Sequence, residues 1–538
     1  MAGIPMLTAM GLAAAATVAV AVLIALTLLP ALLGFAGDKV ERTRWRGLLA
    51  AGFVAVGLAG TGLKVDAISG VGFALALIVL LASIRLWQVR AVIGGVALVV
   101  GLVGAILGVD ALANVGLGLV AAAALASVAA LGGDLLRREL PRRTPKPLRA
   151  TAAYRWSRVI QHRPWTTALI GALTLLVLAI PVFGLRLGNS DESNFAQDTT
   201  TKQAYDMLVD GFGIGFNGPL LLAAELPDGT DVDGLAAITD AIAADPGVAF
   251  ASPPSTDDPD DPAAVVWQVI PNSGPQDEAT SSLVERLRDD VLPPAEQAAG
   301  VDVAVTGSVA VNIDFTDYLE SRMPYFFTAV LALSFVLLMI VFRSLLVPLK
   351  AVVMNMLSIG AAYGIVVALF QWGWLSDITG VQPAPIEPWI PMMLFAIVFG
   401  LSMDYEVFLL SRVREEWSRT GDSRTSVADG LAATAKVITA AAAIMVFVFG
   451  SFLLENDRVL KLMGTGLAAA ILLDATVVRM LLVPATMELL GDRNWWLPRW
   501  LDRILPNLDV EGHAEPPADE VIDLGTEPEP QPERAPTA

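Results

Sequence analysis

The chain has 538 residues, of which 55% are hydrophobic, and its mean hydropathy of +0.62 is that of a membrane protein rather than a soluble domain. The absence of cysteine excludes disulfides and thiol chemistry, and the only two histidines lie outside the apolar runs, which excludes a histidine-based metal site there. The net charge of −19 argues against a nucleic-acid partner. Apolar runs of about 20 residues predict a mainly α-helical polytopic membrane protein with about 11 spans.

The first quarter of the chain predicts one long span and four shorter ones. Residues 1–38 hold an apolar run followed by basic residues, so the positive-inside rule places the following segment in the cytoplasm. Residues 39–135 hold four runs rich in Ala, Gly, Val and Leu, interpreted as an inserted four-helix region. These runs cover 47–63, 71–87, 89–109 and 111–133. The basic segment 136–164 is interpreted as a cytoplasmic linker whose charge sets topology and contacts anionic lipid.

A polar domain follows the next span. Residues 165–186 predict a crossing to the outside, and residues 187–322 predict an extracytoplasmic domain. Its alternation of short strand and helix patterns follows the order βαββαβ, which predicts a ferredoxin-like, porter-type α+β fold. A lone GxGxxG at 213–218 precedes a strand, so it is interpreted as turn glycines and not as a dinucleotide site. The acidic segment 255–262 is interpreted as a solvated loop.

The last part of the chain predicts a bundle and a tail. Residues 323–490 hold five predicted spans, and residues 412–424 predict a short amphipathic cytoplasmic helix or loop between two of them. The spans cover 325–342, 346–372, 389–410, 431–454 and 461–490. Residues 491–538 form an acidic, Pro-rich cytoplasmic tail, which is expected to be disordered because it has little apolar surface to bury. These features predict a multi-pass protein of the plasma membrane.

One helix pattern occurs twice. The sequence GLAAA at 11–15 recurs at 466–470, and LLP at 28–30 corresponds to LVP at 482–484. Repeats of this kind are typical of transporters built from two halves that are related by an axis along the membrane normal. The chain is therefore expected to begin inside its own first repeat.

The pair Asp404-Tyr405 is the strongest candidate for chemistry. On a helix, Asp404 lies about 12 Å from the basic residue Arg412, inside the hydrocarbon region. An ionisable group at that depth costs at least a few kcal/mol and is a functional-site hypothesis by default. We predict that Asp404 takes up and releases protons, with Tyr405 as a phenolic partner. The alternative is an acid that only ties helices together.

Four further polar residues are candidates for coupling or ion pairing. Glu406 is close enough to the cytoplasmic end for its side chain to extend to the interface. Asp474 and Arg479 are five residues apart, a spacing that does not stack on one face of an α-helix, so each is expected to pair with another helix. Asn355 lies on a polar side of its helix, where interhelical hydrogen bonding is the plainer interpretation.

Motifs for catalysis are missing from the sequence. No GK dipeptide of a Walker A loop, no HExxH and no GxSxG occurs anywhere in the chain. The sequence therefore predicts that the protein is not an enzyme, that it uses no cofactor or metal, and that a proton gradient supplies the energy.

Three stretches carry a resemblance to a known family: residues 348–374, residues 389–417 with GLSMDYEVFLLSRVREEW, and residues 464–485. They resemble the C-terminal half of the mycobacterial membrane protein large (MMPL) family of the RND superfamily. The resemblance covers most of 160–495 and also 5–38. It implies export of lipids, glycolipids or hydrophobic compounds driven by proton influx. It also implies a proton relay built from one Asp-Tyr pair in each half, of which the C-terminal pair is Asp404 and Tyr405.

The departure from that family leaves alternatives open. The helix with the first Asp-Tyr pair and the first outer domain have no counterpart in this sequence. A separate first half or a second copy in a homo-oligomer is a candidate partner, beside the membrane and a hydrophobic substrate. The rival interpretations are a lipid-binding scaffold or sensor and an inactive, truncated fragment.

Overall fold

The computed structural model describes residues 5–37, 45–62, 66–82, 151–227, 232–258, 262–376 and 380–506, together with six isolated positions between 92 and 125. Sixteen α-helices and one antiparallel sheet occur in these residues. Three helices precede the basic linker: α1 (Pro5–Ala36), α2 (Trp45–Gly62) and α3 (Asp66–Ala82). The next two are α4 (Ala152–His162), which lies within the segment 136–164 that was predicted to be a linker, and α5 (Pro164–Ala179).

Seven helices in the described residues are long and apolar enough to cross a membrane. They cover Gly11–Phe35, Pro164–Gly184, Ser308–Phe342, Leu346–Gln371, Trp389–Thr420, Ser423–Leu454 and Arg458–Trp495. Two shorter apolar helices, Gly47–Ala59 and Ser69–Ala82, fall on the first two of the four runs in the predicted insertion. The runs at 89–109 and 111–133 lie almost entirely outside the described residues, so the predicted total of about 11 spans stays a prediction.

The polar domain between the spans contains the sheet. Its strands are β1 (Leu220–Glu225), β2 (Val248–Ala251), β3 (Ser255–Thr256), β4 (Ala264–Pro271) and β5 (Val303–Thr306). Its helices are α6 (Thr200–Phe212), α7 (Ala236–Ala243), α8 (Glu278–Arg286) and α9 (Leu292–Ala299). The strand order is β2-β4-β1-β5, with β3 paired to β4.

Alternation of apolar residues places α7, α8 and α9 on one face of the sheet. Leu222 on β1 and Trp267 on β4 are register partners, and both side chains are fully buried. They pack with Ile238 of α7 and Leu283 of α8 in one apolar core. Because α7 connects β1 to β2, while α8 and α9 connect β4 to β5, the main elements follow the order βαββαβ of a split βαβ domain.

The remaining helices form the membrane bundle. They are α10 (Ser308–Phe342), α11 (Leu346–Val366), α12 (Trp389–Thr420), α13 (Ser423–Gly450), α14 (Arg458–Leu473), α15 (Val483–Leu490) and the short α16 (Arg499–Asp502). A π-helical segment, Asp474–Leu482, joins α14 to α15. Large apolar side chains from α10 to α15 form two neighbouring cores along the bundle.

The boundary between α12 and α13 differs from the expected separate segment at 412–424. α12 continues without a break to Thr420, and the left-handed conformation of Gly421 ends it. Asp422 then accepts hydrogen bonds from the backbone N–H groups of Arg424 and Thr425, which is an N-cap for α13. The two helices therefore form one tight hairpin, and Asp404 lies about halfway along α12.

Candidate functional site

Asp404 lies on the side of α12 that faces away from the bundle. Gly400, Asp404 and Phe408 are all exposed, and because they follow one another at intervals of four residues they form one stripe on the helix. No atom of the described residues lies within 4 Å of the position that a Cβ of Gly400 would occupy. Within the part of the chain that is described, Asp404 makes no hydrogen bond and no ion pair. The arrangement leaves Asp404 open to a partner outside this bundle.

The opposite side of α12 holds a buried polar cluster. Ser402 and Glu406, two residues before and after Asp404, are both buried against neighbouring helices. The Ser402 hydroxyl donates to Oδ1 of Asn355 on α11 at 2.9 Å. Asn355 is 1% exposed, and its amide also approaches the sulfur of Met403 at 3.8 Å. Asn355 therefore joins α11 to α12, as its position on the polar side of α11 predicted.

Asp474 and Arg479 form a buried ion pair with each other. Nε of Arg479 donates to Oδ2 of Asp474 at 2.8 Å, and the guanidinium also donates to the backbone carbonyl of Ser402. The expectation that Asp474 and Arg479 do not meet is wrong, because the segment from Asp474 to Leu482 winds as a π-helix, whereas the expected contact of Arg479 with another helix is present at Ser402. A π-helix brings residues i and i+5 together, which an α-helix does not.

Tyr405 connects the two sides of α12. Its ring lies 5.0 Å from the Arg479 guanidinium carbon, which is the geometry of a cation–π contact. Its hydroxyl donates to the sulfur of Met445 on α13 at 3.5 Å. Tyr405 is thus bonded along the backbone to the exposed Asp404 and packed against the cation of the buried pair.

Glu406 does not extend to the interface. Its side chain is buried, with 4% of the residue exposed, because α11 and the π-helical segment cover this side of α12. Lys350 on α11 and Arg479 are the cations in electrostatic range, and Nζ of Lys350 also lies 3.4 Å from Oδ1 of Asn494. The buried cluster therefore balances two cations against the carboxylates of Glu406 and Asp474.

A second buried polar group lies at the end of the bundle near the sheet domain. Nη1 of Arg458 donates to Oε1 of Glu387 at 2.8 Å, and Nη2 donates to the carbonyls of Ala384 and Pro385. The same Glu387 oxygen accepts a hydrogen bond from Ser190 at 2.6 Å.

Backbone pairing reinforces this contact. Leu187 forms a β-bridge with Ile386, and the N–H of Gly188 donates to the carbonyl of Ile386 at 3.0 Å. Glu387, Arg458 and Ser190 thus attach the segment that enters the sheet domain to the loop before α12.

A cavity of about 900 Å³ lies between the sheet domain and the ends of the membrane helices. Its apolar wall includes Val182, Met323 and Phe327. Its polar wall carries one cation, Arg186, and six carboxyl side chains. These are Asp191, Glu192, Glu278, Glu285, Asp317 and Glu320. The cavity is therefore amphipathic, and its polar wall favours neutral or cationic groups over anions.

Sequence reasoning missed several of these residues. Ser402 and Met445 carry no signal that separates them from other residues of an apolar helix. Lys350 lies near the start of its predicted span, where a basic residue usually only marks the cytoplasmic end, and Glu387 and Arg458 lie outside the predicted spans. The sequence did contain one signal for Glu387 and Arg458: each is a charged residue directly beside an apolar run. Among the described residues no group of three or more potential metal ligands occurs.

The fold and this site define a class: a polytopic helical membrane protein with an α+β domain inserted between spans and buried charges within its bundle. The MMPL family model matches residues 1–52 and 232–506, and the chain belongs to the MMPL family.

Three curated proteins illustrate the relationship. The chain is 40% identical over 361 residues to "Membrane protein YdfJ" of Bacillus subtilis, an alignment that covers 66% of this chain and 49% of that protein. It is 38% identical over 376 residues to "Mycolic acid-containing lipids exporter MmpL11" of Mycolicibacterium smegmatis, covering 69% and 39%. It is 32% identical over 378 residues to "Trehalose monomycolate exporter MmpL3" of the same organism, covering 67% and 36%. The chain thus aligns with less than half the length of each relative.

Proposed function

We propose that this chain is part of a transporter that exports lipids, glycolipids or other hydrophobic compounds and is driven by the proton-motive force. Asp404 is the group that gains and loses the proton, and Tyr405 connects it to the rest of the bundle. The observation that carries the proposal is the division of α12 into two faces, with Asp404 on the open face and a charge-balanced cluster on the buried one.

Protonation of Asp404 can change the structure of the bundle through the buried cluster. A change of charge at Asp404 acts on Tyr405, its covalent neighbour, and Tyr405 packs against Arg479. Because Arg479 is paired with Asp474, a shift of Arg479 moves the π-helical segment of the last span. π-Helical segments are frequent at functional sites, since their backbone hydrogen bonds rearrange more readily than those of an α-helix. A proton that moves down the membrane potential gains about 2.3 kcal/mol per 100 mV, which is enough to bias such a rearrangement.

The cavity beside the sheet domain supports a hydrophobic cargo. Its apolar wall suits an acyl chain, while its polar wall suits a head group that is neutral or cationic. The printed names of two relatives, MmpL11 and MmpL3 of Mycolicibacterium smegmatis, describe exporters of mycolic-acid-containing lipids and of trehalose monomycolate. A neutral sugar head group of that kind is compatible with the polar wall of the cavity, which carries six carboxyl side chains and one arginine.

Asp404 needs a partner on its open face. A carboxylate that faces lipid at mid-membrane depth is costly, and Gly400 on the same stripe allows another helix to approach closely. We propose that this helix comes from a first half of the transporter or from a second copy of this chain. The family resemblance assigns the other Asp-Tyr pair to such a helix.

Proton flux into proteoliposomes tests the proposal. The full chain is reconstituted with an internal pH-sensitive dye, an inward proton gradient is imposed, and export of a fluorescent phosphatidylethanolamine is followed in parallel. Where a second copy of this chain supplies the partner helix, wild-type chain is expected to support both fluxes, and Asp404→Asn is expected to lower both to the level of empty liposomes. Glu415→Gln, which removes an exposed carboxylate near the end of the same helix, is the matched control and should behave as wild type. Equal fluxes above the level of empty liposomes with wild type and Asp404→Asn would contradict the role of Asp404, and no flux with wild type would exclude a second copy of this chain as the sole partner.

A further inference from the structure

The short helix α4 lies against the end of the bundle opposite to the sheet domain. α4 packs against α13 and α15, and its buried residues are Ser157 and Ile160. Nε2 of Gln161 donates to the carbonyl of Arg424, at the first turn of α13, at 2.7 Å. Arg163, whose backbone is not helical, ends α4, and Pro164 begins the span α5. α4 is therefore a separate helix held at the mouth of a membrane span.

A tryptophan ties α4 to the π-helical segment of the last span. The indole N–H of Trp156 donates to the carbonyl of Met480 at 2.8 Å. That carbonyl lies four residues before Pro484, which has no N–H to donate to it. The same π-helical segment contains the Asp474–Arg479 pair.

The outer face of α4 divides into a cationic side and an apolar side. With about 100° between successive residues, Arg155, Arg158 and His162 fall together, and all three are exposed. Trp156 and Val159 lie on the adjacent part of the surface and are 44% and 56% exposed. Arg163 and the 75%-exposed Trp165 extend this surface to the start of α5. Glu488 is in electrostatic range of Arg158, but its side chain is buried and forms an ion pair with Arg424 at 2.8 Å.

From this arrangement we infer that the outer face of α4 is a binding site for anionic phospholipid head groups of the membrane leaflet at this end of the bundle. The arginines bind the phosphate, as guanidinium groups do with planar, bidentate geometry. Trp156, Val159 and Trp165 enter the boundary between head groups and acyl chains, which is the usual position of tryptophan in membrane proteins. A soluble anion would leave this apolar strip in water, so the observations favour a bilayer lipid.

Binding on α4 acts on the last span. A lipid that holds α4 in place also holds the Trp156–Met480 hydrogen bond, and with it the π-helical segment that follows Asp474. Anionic lipid is thereby a stabilising ligand of the bundle, and its binding is measurable without any transport assay.

Native mass spectrometry of the purified full chain tests the inference, with phosphatidylglycerol or phosphatidylcholine added to the detergent. Wild-type chain is expected to retain phosphatidylglycerol in preference to phosphatidylcholine. The triple variant Arg155→Gln, Arg158→Gln, Arg163→Gln is expected to lose affinity for phosphatidylglycerol by about tenfold or more, since each arginine near the surface contributes to binding. Its affinity for phosphatidylcholine should not change.

Two matched variants separate lipid binding from other effects. Arg412→Gln, Arg419→Gln, Arg499→Gln removes three exposed arginines from other helices and should retain the wild-type affinity for phosphatidylglycerol. The triple lysine variant of Arg155, Arg158 and Arg163 keeps the charge and should recover most of the binding. The inference would be overturned if the triple glutamine variant of α4 bound phosphatidylglycerol as tightly as wild type. It would also be overturned if the control variant on the other helices lost as much affinity as the α4 variant. Neither result bears on proton flux, so failure here leaves the proposed export function standing.

Discussion

The Arg479 guanidinium lies 5.0 Å from the centre of the Tyr405 ring, on the same buried side of α12 as its ion pair with Asp474. Arg479 is 2% exposed, and its charge is balanced by a carboxylate five residues earlier on its own segment. This contact joins the helix that carries Asp404 to the last span.

Removal of the arginine should destabilise the bundle. Arg479→Met leaves Asp474 buried without its cation, and breaking one side of a buried pair costs about 3–5 kcal/mol. Thermal unfolding of the purified chain in detergent, followed by tryptophan fluorescence, measures the loss. The double variant Asp474→Asn, Arg479→Met removes both charges and is expected to recover part of that stability. Equal stability of Arg479→Met and wild type would show that the pair is not buried in the folded protein.

Removal of Glu387 should weaken the attachment of the sheet domain. Glu387→Ala leaves Arg458 buried and also removes the acceptor of the Ser190 hydroxyl, with an expected cost of about 3–5 kcal/mol. Hydrogen exchange should rise in the backbone pairing of Leu187 with Ile386. Glu455→Ala removes an exposed carboxylate near the same end of the bundle and should change stability by less than about 0.5 kcal/mol. Unchanged exchange at residues 186–188 would contradict this role of Glu387.

Two glycines in the bundle should respond in opposite ways to alanine. A Cβ at Gly364 would lie 1.9 Å from the backbone oxygen of Leu178 on α5, so Gly364→Ala must separate two helices and should cost about 1–3 kcal/mol. Gly400 has no atom within 4 Å of its Cβ position, and Gly400→Ala should leave the stability of the purified chain equal or slightly higher.

The same Gly400 variant tests the open face. If another helix packs beside Asp404, the added methyl group should lower proton flux while thermal unfolding in detergent stays at the wild-type temperature. Full proton flux with Gly400→Ala would mean that no helix approaches α12 closely at this position.

The sheet domain should lose stability in acid through Asp245. Arg286 donates two hydrogen bonds to this carboxylate, at 3.0 and 2.9 Å, and they hold the pKa of Asp245 below its usual value. A lowered pKa in the folded state means that the stabilisation is fully present above the unfolded pKa, about 3.9, and is lost as the pH falls through the folded pKa.

The variant Asp245→Asn measures how much of the loss of stability in acid comes from the Asp245–Arg286 pair. Asp245→Asn should cost about 1–2 kcal/mol at pH 7, a modest figure because Arg286 is partly exposed. Thermal unfolding of the sheet domain within the full chain should show wild type and variant approaching each other as the pH falls below about 4. A constant difference over that range would exclude titration of Asp245 as the cause.

The sequence by itself determined which segments are apolar enough to form spans and the βαββαβ order of the polar domain. It also singled out Asp404 as the candidate proton-binding residue. These are local properties: a run of apolar residues, an alternation of two residues or a single acid inside a hydrophobic helix is visible in a short window of sequence. The MMPL resemblance also rested on continuous stretches such as residues 389–417.

Only the tertiary structure decided how the charged residues pair. Glu387 and Arg458 are 71 residues apart in the sequence, and neither helix pattern indicates that they meet. The Asp474–Arg479 pair forms because its segment is a π-helix. On an α-helix, two residues five apart would not face each other. Glu406 is buried and Asp404 is open because α11 and the last span pack on one side of α12 alone. Which side of a helix its neighbours cover is a property of packing between distant segments, and no local pattern in this sequence specifies it.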